Sequence, residues 1–185
     1  MALVTLGSKA VGSVVKIKIN GTAWEWLVVN QGNPSTSLYD SSCAGTWLLL
    51  KNIYVKRIWG TNSTSDVNDY ANGGLNTYLN STFYNLIDST IRAQIKQVKI
   101  PYRAGYGSDG SDQSGANGLL CKIFLLGGYE VGFTTSDNPY FPADGAKLSY
   151  FEAGTDSSAL NKRIAYLNGS VDGWWLRSLN TNYTN

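Results

Sequence analysis

The stretch SVVKIKINGTAWEWLVVN, residues 13 to 30, limits what this chain can fold into more than any other. Asn20-Gly21 separates two runs of alternating apolar and polar residues, and a two-residue type I′ turn needs positive φ at both central positions, which Asn and Gly tolerate. Such a turn sets Ile19 against Thr22, Ile17 against Trp24 and Val15 against Trp26 on one face. On the other face it sets Lys16 against Glu25, an opposite-charge pair. Two independent patterns agree on one register, so these residues read as an N-terminal antiparallel hairpin.

Beyond the hairpin the periodicity changes. TWLLLKNIYVKRIW, residues 46 to 59, reads as a mostly buried strand running into an irregular or short helical segment. Residues 60 to 69 are a polar loop, with Asp66 or Asp69 as a candidate helix cap. Leu75, Tyr78 and Leu79, then Phe83, Leu86 and Ile87, then Ile91 and Ile95 recur at helical spacing. Asn80-Ser-Thr and Asp88-Ser-Thr interrupt them with capping chemistry, which predicts two or three short helices. QVKIPY, residues 97 to 102, is a strand stopped by Pro101, followed by a Gly/Ser/Asp-rich loop over residues 104 to 118, long enough to be either functional or mobile. LLCKIFLLGGYEVGF, residues 119 to 133, reads as a central strand and a turn. After a second irregular stretch over residues 134 to 146, short strands are expected around residues 147 to 151, 163 to 166 and 174 to 177. The pattern is α+β with an antiparallel sheet, short helices and long loops, in one domain over residues 1 to 185 without repeat or linker.

Composition excludes several function classes. A chain of 185 residues buries roughly 70% of its unfolded surface in a single core. With 43% hydrophobic and only 15% charged residues, the exterior is built largely from Asn, Ser, Thr, Gly and Tyr. A net charge of +2, evenly spread, leaves no phosphate-backbone footprint, so no nucleic acid is expected. The apolar runs fall short of the ~20 residues that span a bilayer, so no membrane insertion is expected. MALVTLGSKAVGSVV has no basic leader with an apolar block, so no signal peptide is assigned.

The chain has no histidine, which removes Ser-His-Asp and Cys-His catalysis, His-ligated zinc and the usual general base near neutral pH. Cys43 and Cys121 are expected as buried small apolar residues, with a bridge between them left open. Carboxylate catalysis would have to draw on Glu25, Glu130 and Glu152. Glu25 is already placed in the hairpin, and Glu130, after Gly127-Gly128-Tyr129, reads more readily as structural. GSDGSDQSG offers Asp109 and Asp112, but the twelfth position counted from Asp109 is Leu120, so the helical calcium loop fails, and a non-helical calcium site stays open. The glycine-rich stretches lack the frame of a phosphate loop. Sequons at Asn20, Asn62, Asn80, Asn168 and Asn182 are what chance gives in a chain so rich in Asn, Ser and Thr. No catalytic residue, metal or cofactor is assigned, and the chain is not read as an enzyme.

DGWWLRS, residues 172 to 178, reads as a turn entering a strand, whose adjacent side chains point to opposite faces. With Trp174 and Leu176 turned to the core, Trp175 and Arg177 share the other side, where guanidinium and indole can stack.

WWLRS, preceded by KIFLLGGYEVGF, IRAQIKQVKIPY, LVVNQGNPS and LYDSSCAGTWLL, resembles a family of uncharacterised domains in Gram-positive gut bacteria and their phages, over residues 7 to 178. The family's block reads Trp-Trp-Leu-Arg-Ser-Pro, where this chain has Leu179 in place of the proline. The resemblance implies a C-type-lectin-like fold, similar to formylglycine-generating enzymes and to phage proteins diversified by retroelements. It also implies a virion or cell-surface, extracellular setting. The family normally continues through a variable polar segment to a final Gly-Val-Arg-Pro strand, which this chain, ending at Asn185, is expected to lack. Cys43 and Cys121 do not match the copper-binding cysteine pair of the formylglycine-generating relatives.

LNTNYTN, residues 179 to 185, carries the Tyr, Asn and Thr of recognition loops. Asn180, Asn182 and Tyr183 are therefore the expected ligand contacts, with Trp175 and Arg177 beside them. The function expected is a lectin-like binding domain of a phage virion, a tail or head fibre or adhesin for host attachment. Its partners would be a host-surface glycan or protein, other virion subunits and, where it self-associates, a homo-oligomer. The alternative is a structural virion protein, a capsid decoration or tail-associated subunit without receptor binding.

Overall fold

The computed structural model of the protein describes residues 5–60, 69–105 and 107–182. Strands β1 (Val14–Ile19) and β2 (Thr22–Gln31) pair antiparallel in the register that their alternation requires, Ile19 with Thr22, Ile17 with Trp24 and Val15 with Trp26. Asn20 and Gly21 take φ of 47° and 78° in the turn. Strand β3 (Thr46–Leu50) adds antiparallel to β2, giving the order β1-β2-β3. Glu25 does sit opposite Lys16, but its carboxylate accepts instead from Lys51 Nζ, just past β3, at 2.8 Å. That contact, with a smaller share from Lys16, holds its pKa below the usual carboxylate range.

The helical block is more continuous than its Asn80-Ser-Thr break predicts. Helix α1 (Gly74–Tyr78) runs through a π-turn at Leu79–Phe83 into α2 (Tyr84–Leu86), and α3 (Ser89–Arg92) follows. Asp88 caps α3, accepting from Thr90 N–H at 3.0 Å. Asn80 is no cap. Its Nδ2 donates back to the Asn76 carbonyl at 3.2 Å and across to the Ile123 carbonyl at 2.9 Å, and its Oδ1 accepts from Lys122 N–H at 2.8 Å and Ile123 N–H at 3.2 Å. Asp69 accepts from Asn72 N–H in a turn instead of capping α1, whose N-cap is Gly73, and Asp66 lies outside the described residues.

Three short strand pairings follow among the described residues. β4 (Val98–Ile100) pairs with β7 (Leu119–Cys121), and β5 (Tyr102–Ala104) with β6 (Ser111–Gln113), so the long glycine-rich stretch contains half a hairpin. After helix α4 (Ser157–Asn161), capped by Asp156, β8 (Ala165–Leu167) and β9 (Ser170–Asp172) form a hairpin whose turn, Asn168-Gly169, repeats the positive-φ pair of the first.

Three expected strands are not continuous ladder strands, and side chains or isolated backbone bonds hold parts of each. The central strand expected within residues 119–133 stops at Cys121, because Asn80 satisfies residues 122 and 123 and the Tyr70 hydroxyl accepts from Leu125 N–H at 3.0 Å. Residues 147–151 are held by an irregularity in β2 between Val28 and Asn30: Tyr150 N–H donates to the Val29 carbonyl, and the Asn30 side chain accepts from Ser149 N–H and Oγ. Residues 174–177 run unpaired, apart from Arg177 N–H donating to the Leu126 carbonyl at 2.9 Å.

Two apolar clusters lie on the two sides of the β1-β2-β3 sheet. One joins Val29, Trp47, Ile100, Leu126, Leu148 and Phe151, and the other joins Ile17, Ile19 and Trp26 to Phe83 and Ile87 of the helical block. Cys43 and Cys121 are free thiols buried in the first, and burial raises their pKa to about 11 and about 12. The fold is α+β on small antiparallel sheets. Among the described residues no helix is long and apolar enough to cross a membrane.

Candidate functional site

The Trp-Trp-Leu-Arg-Ser block is fixed from inside by its arginine. Arg177 is buried, and its guanidinium meets Glu130 through two parallel bonds, Nη1 to Oε2 at 2.6 Å and Nη2 to Oε1 at 2.7 Å. Nε donates to the Pro101 carbonyl at 3.0 Å and Nη1 to the Leu125 carbonyl at 2.9 Å, while Nη2 also reaches the Asp144 carbonyl. All five guanidinium donors are thereby used, the condition on which a buried ion pair is tolerated. Glu130 is equally occupied, accepting from Tyr39 Oη at 2.6 Å and Gly127 N–H at 2.8 Å. Burial works against the charge on Arg177, but Glu130 and Asp144 outweigh it and hold the group protonated above its usual range. Burial pushes Asp144 up to about 6 against the opposing pull of Arg177, and its oxygens accept from Ser178 Oγ at 2.8 and 2.9 Å.

This placement corrects the expected stacking of Arg177 on Trp175 on a shared open face. Arg177 is enclosed, its charge held by the buried carboxylates. Trp175 is half exposed; its Nε1 donates to the Arg57 carbonyl at 3.0 Å and its ring meets Trp59 edge-on, centroids 5.4 Å apart. Trp174 is half-buried, and its Nε1 donates to the Arg163 carbonyl at 2.8 Å. Past the anchor, Leu179 is buried and Asn180 and Asn182 are exposed, joined by a bond from Asn182 N–H to Asn180 Oδ1 at 2.9 Å. Thr181 donates through N–H and Oγ1 to the Tyr140 carbonyl, both at 2.9 Å. Tyr183 lies outside the described residues. The terminal candidates thus gather beside Tyr140, while Trp175 is tied to residues 57–59.

A second feature is a hollow of about 500 Å³ lined by Trp24, Lys51, Asn52, Ile53, Tyr54, Tyr166, Asn168 and Gly169. β2 supplies Trp24, whose ring meets Tyr54 edge to face at 5.2 Å, and the β8–β9 hairpin supplies Tyr166 and the turn residue Asn168. Ile53 N–H donates to the Tyr166 carbonyl at 3.0 Å and locks the two walls together. The hollow offers three aromatic rings, two side-chain amides and one ammonium group, and no carboxylate. Its volume falls within the ~300–1,000 Å³ of small-molecule sites.

The other candidates from the sequence are committed elsewhere. Glu152 pairs with Lys162 at 2.9 Å, and Asp112 accepts from Arg103 at 2.9 Å and from Ala143 N–H at 3.0 Å. Asp109 accepts from Ser108 Oγ at 3.3 Å. Among the described residues no three His, Cys, Asp or Glu side chains gather as a metal cluster.

A family model described as "Domain of unknown function (DUF6273)" matches residues 44–185. The chain belongs to this family. No curated protein and no solved structure matches the chain. The DUF6273 match begins after β2 and Tyr39, yet β2 is the central strand of the sheet and Tyr39 closes the Glu130 network, so the folded unit extends beyond the matched residues.

Sequence reading missed Asp144, Ser178 and the hollow in this DUF6273 domain. The signal for the first lay in glycines: a Cβ on Gly127 would stand 3.0 Å from Asp144 Oδ1, and one on Gly145 would stand 2.7 Å from Glu130 Cγ. The signal for the hollow was a second Asn-Gly turn.

Proposed function

We propose that this DUF6273 domain is a non-enzymatic, lectin-like binding domain of a phage virion that recognises a host-surface glycan, and that the hollow over Trp24 is its sugar site. The observation that carries the reading is the composition of that hollow. Aromatic faces accept the apolar C–H face of a pyranose ring, while Asn52 and Asn168 can each donate to and accept from hydroxyl groups. The absence of a lining carboxylate argues for holding a neutral sugar over cleaving one, since glycoside hydrolysis needs two carboxylates. One wall is the irregular segment 51–54, tied to the β8–β9 hairpin by the bond from Ile53 N–H to the Tyr166 carbonyl, so the contacts are pre-positioned. Asn180 and Asn182 present further amides beside Tyr140, and the buried Arg177 gives that segment a fixed root. A C-type-lectin-like fold and a virion setting belong to the same proposal and rest on the resemblance of the Trp-Trp-Leu-Arg-Ser block.

The test is a glycan array and whole-cell binding to a panel of Gram-positive gut bacteria, with three variants. Asn168→Gly removes the amide and keeps the positive-φ turn. It and Tyr166→Ala are expected to weaken binding about tenfold or more, the equivalent of ~1.4 kcal/mol, with unchanged thermal unfolding. Asn180→Ala/Asn182→Ala reports whether the terminal segment takes part. Retained assembly into particles with no saturable binding by the parent protein would favour the structural virion role instead.

A further inference from the structure

We propose that the open edge of β3 receives an extended apolar segment of a partner polypeptide whose ends carry acidic residues. The first observation is the edge itself. Among the described residues β3 pairs only with β2. Because Lys51 N–H donates to the Glu25 carbonyl, alternation turns the backbone groups of Leu48 and Leu50 away from β2, and no described backbone group bonds to them. Edge strands are ordinarily blunted by charge, proline or a bulge, and Thr-Trp-Leu-Leu-Leu carries none of these.

The second observation is the space beside it. A groove of about 1840 Å³ runs along β3, walled on one side by Phe83, Ile91 and Ile95 and on the other by Phe124, Tyr150 and Trp174. These walls belong to the two apolar clusters, so a strand added to β3 would be covered on both faces. A strand buried on both faces is a continuous apolar run, not an alternating one. The volume exceeds the ~300–1,000 Å³ typical of small-molecule sites, which favours a length of polypeptide.

Charge selects the ends of that segment. The groove's charged lining is Lys51, Lys56, Arg57, Lys96, Lys122, Lys162 and Arg163 against Asp172 alone. Lys51, Lys56 and Lys162 are paired with carboxylates, whereas Arg57, Lys96 and Lys122 have no ion pair among the described residues. Acidic residues flanking an apolar run match this rim, and basic ones oppose it. The occupant joins by β-augmentation, with main-chain bonds giving affinity and the two walls giving specificity.

The experiment uses the full chain and three fluorescent probes: Asp-Glu-Val-Ile-Val-Leu-Val-Glu-Asp, the same core flanked by lysines, and the acidic-flanked peptide with proline at its centre. Saturable binding of the first, weaker by about tenfold or more for the other two, is expected. Leu48→Pro removes one outward N–H and leaves the β2 ladder intact, and it is expected to abolish binding. Arg57→Glu/Lys96→Glu, at exposed positions, is expected to invert the preference between acidic and basic flanks even if Leu48→Pro fails to fold. Equal binding of all three peptides, no binding of any, or occupation of the edge by a second copy of the chain in sedimentation would overturn the proposal. Glycan binding tested through Asn168, which lines the hollow and not the groove, is a separate readout.

Discussion

Arg177 and Glu130 face each other as a two-bonded ion pair with neither side chain exposed, and through them the segment at 174–182 is tied to the middle of the chain. Removing Glu130 leaves the buried guanidinium with only the more distant Asp144 carboxylate, at 3.9 Å, and removing Arg177 leaves the buried Glu130 carboxylate without its two-bonded partner. Glu130→Ala is therefore expected to destabilise the domain by about 3–5 kcal/mol. Arg177→Lys should recover little of an Arg177→Ala loss, because an ammonium cannot make two parallel bonds while also reaching the carbonyls of Pro101, Leu125 and Asp144. Urea unfolding of the three variants measures both statements. Near-native stability of Glu130→Ala would remove the anchor from the account.

Asp144 gives the domain a pH dependence of unusual sign. Burial raises its pKa in the folded state to about 6, above the unfolded value of 3.8. Between those values the folded state holds a proton that the unfolded state has lost, so stability falls as pH rises from about 4 to 6, by roughly 2–3 kcal/mol for this group. Asp144→Asn keeps an acceptor for Ser178 and cannot ionise. The difference in unfolding free energy between wild type and this variant should shift against wild type across that window. A difference independent of pH contradicts the assignment.

Asn80 acts as a surrogate strand for residues 122 and 123. Asn80→Ala would leave two N–H groups and one carbonyl without partners in a half-buried place, a loss of about 2 kcal/mol. Hydrogen exchange should quicken at Lys122 and Ile123 in particular, and unchanged exchange there would refute the role.

What the sequence made legible was local and periodic. The first hairpin, its register and its turn followed from alternation about Asn20-Gly21, and Asp88 announced α3 by capping chemistry. The second Asn-Gly turn, at Asn168, was passed over because its flanking strands are three residues each and show too little alternation. Arg177 and Asn80 were misplaced for a common reason. A polar residue in a local pattern reads as a surface or capping group, and only tertiary contacts from distant segments show where its bonds go. Glu130, by contrast, reads as structural from the sequence even though its place after Gly127-Gly128-Tyr129 also suits a site residue. The hollow joins β2 to the β8–β9 hairpin, and nothing in either segment's spacing names the other.

We propose that the hollow over Trp24 holds a sugar. The most direct measurement is an NMR titration with polysaccharide fragments released from the walls of Gram-positive gut bacteria, following the indole N–H signals. A saturable shift at Trp24, lost in Tyr166→Ala while the remaining spectrum stays native, is the expected result. Saturating sugar that leaves Trp24 unmoved, or that moves it equally in the variant, contradicts the claim.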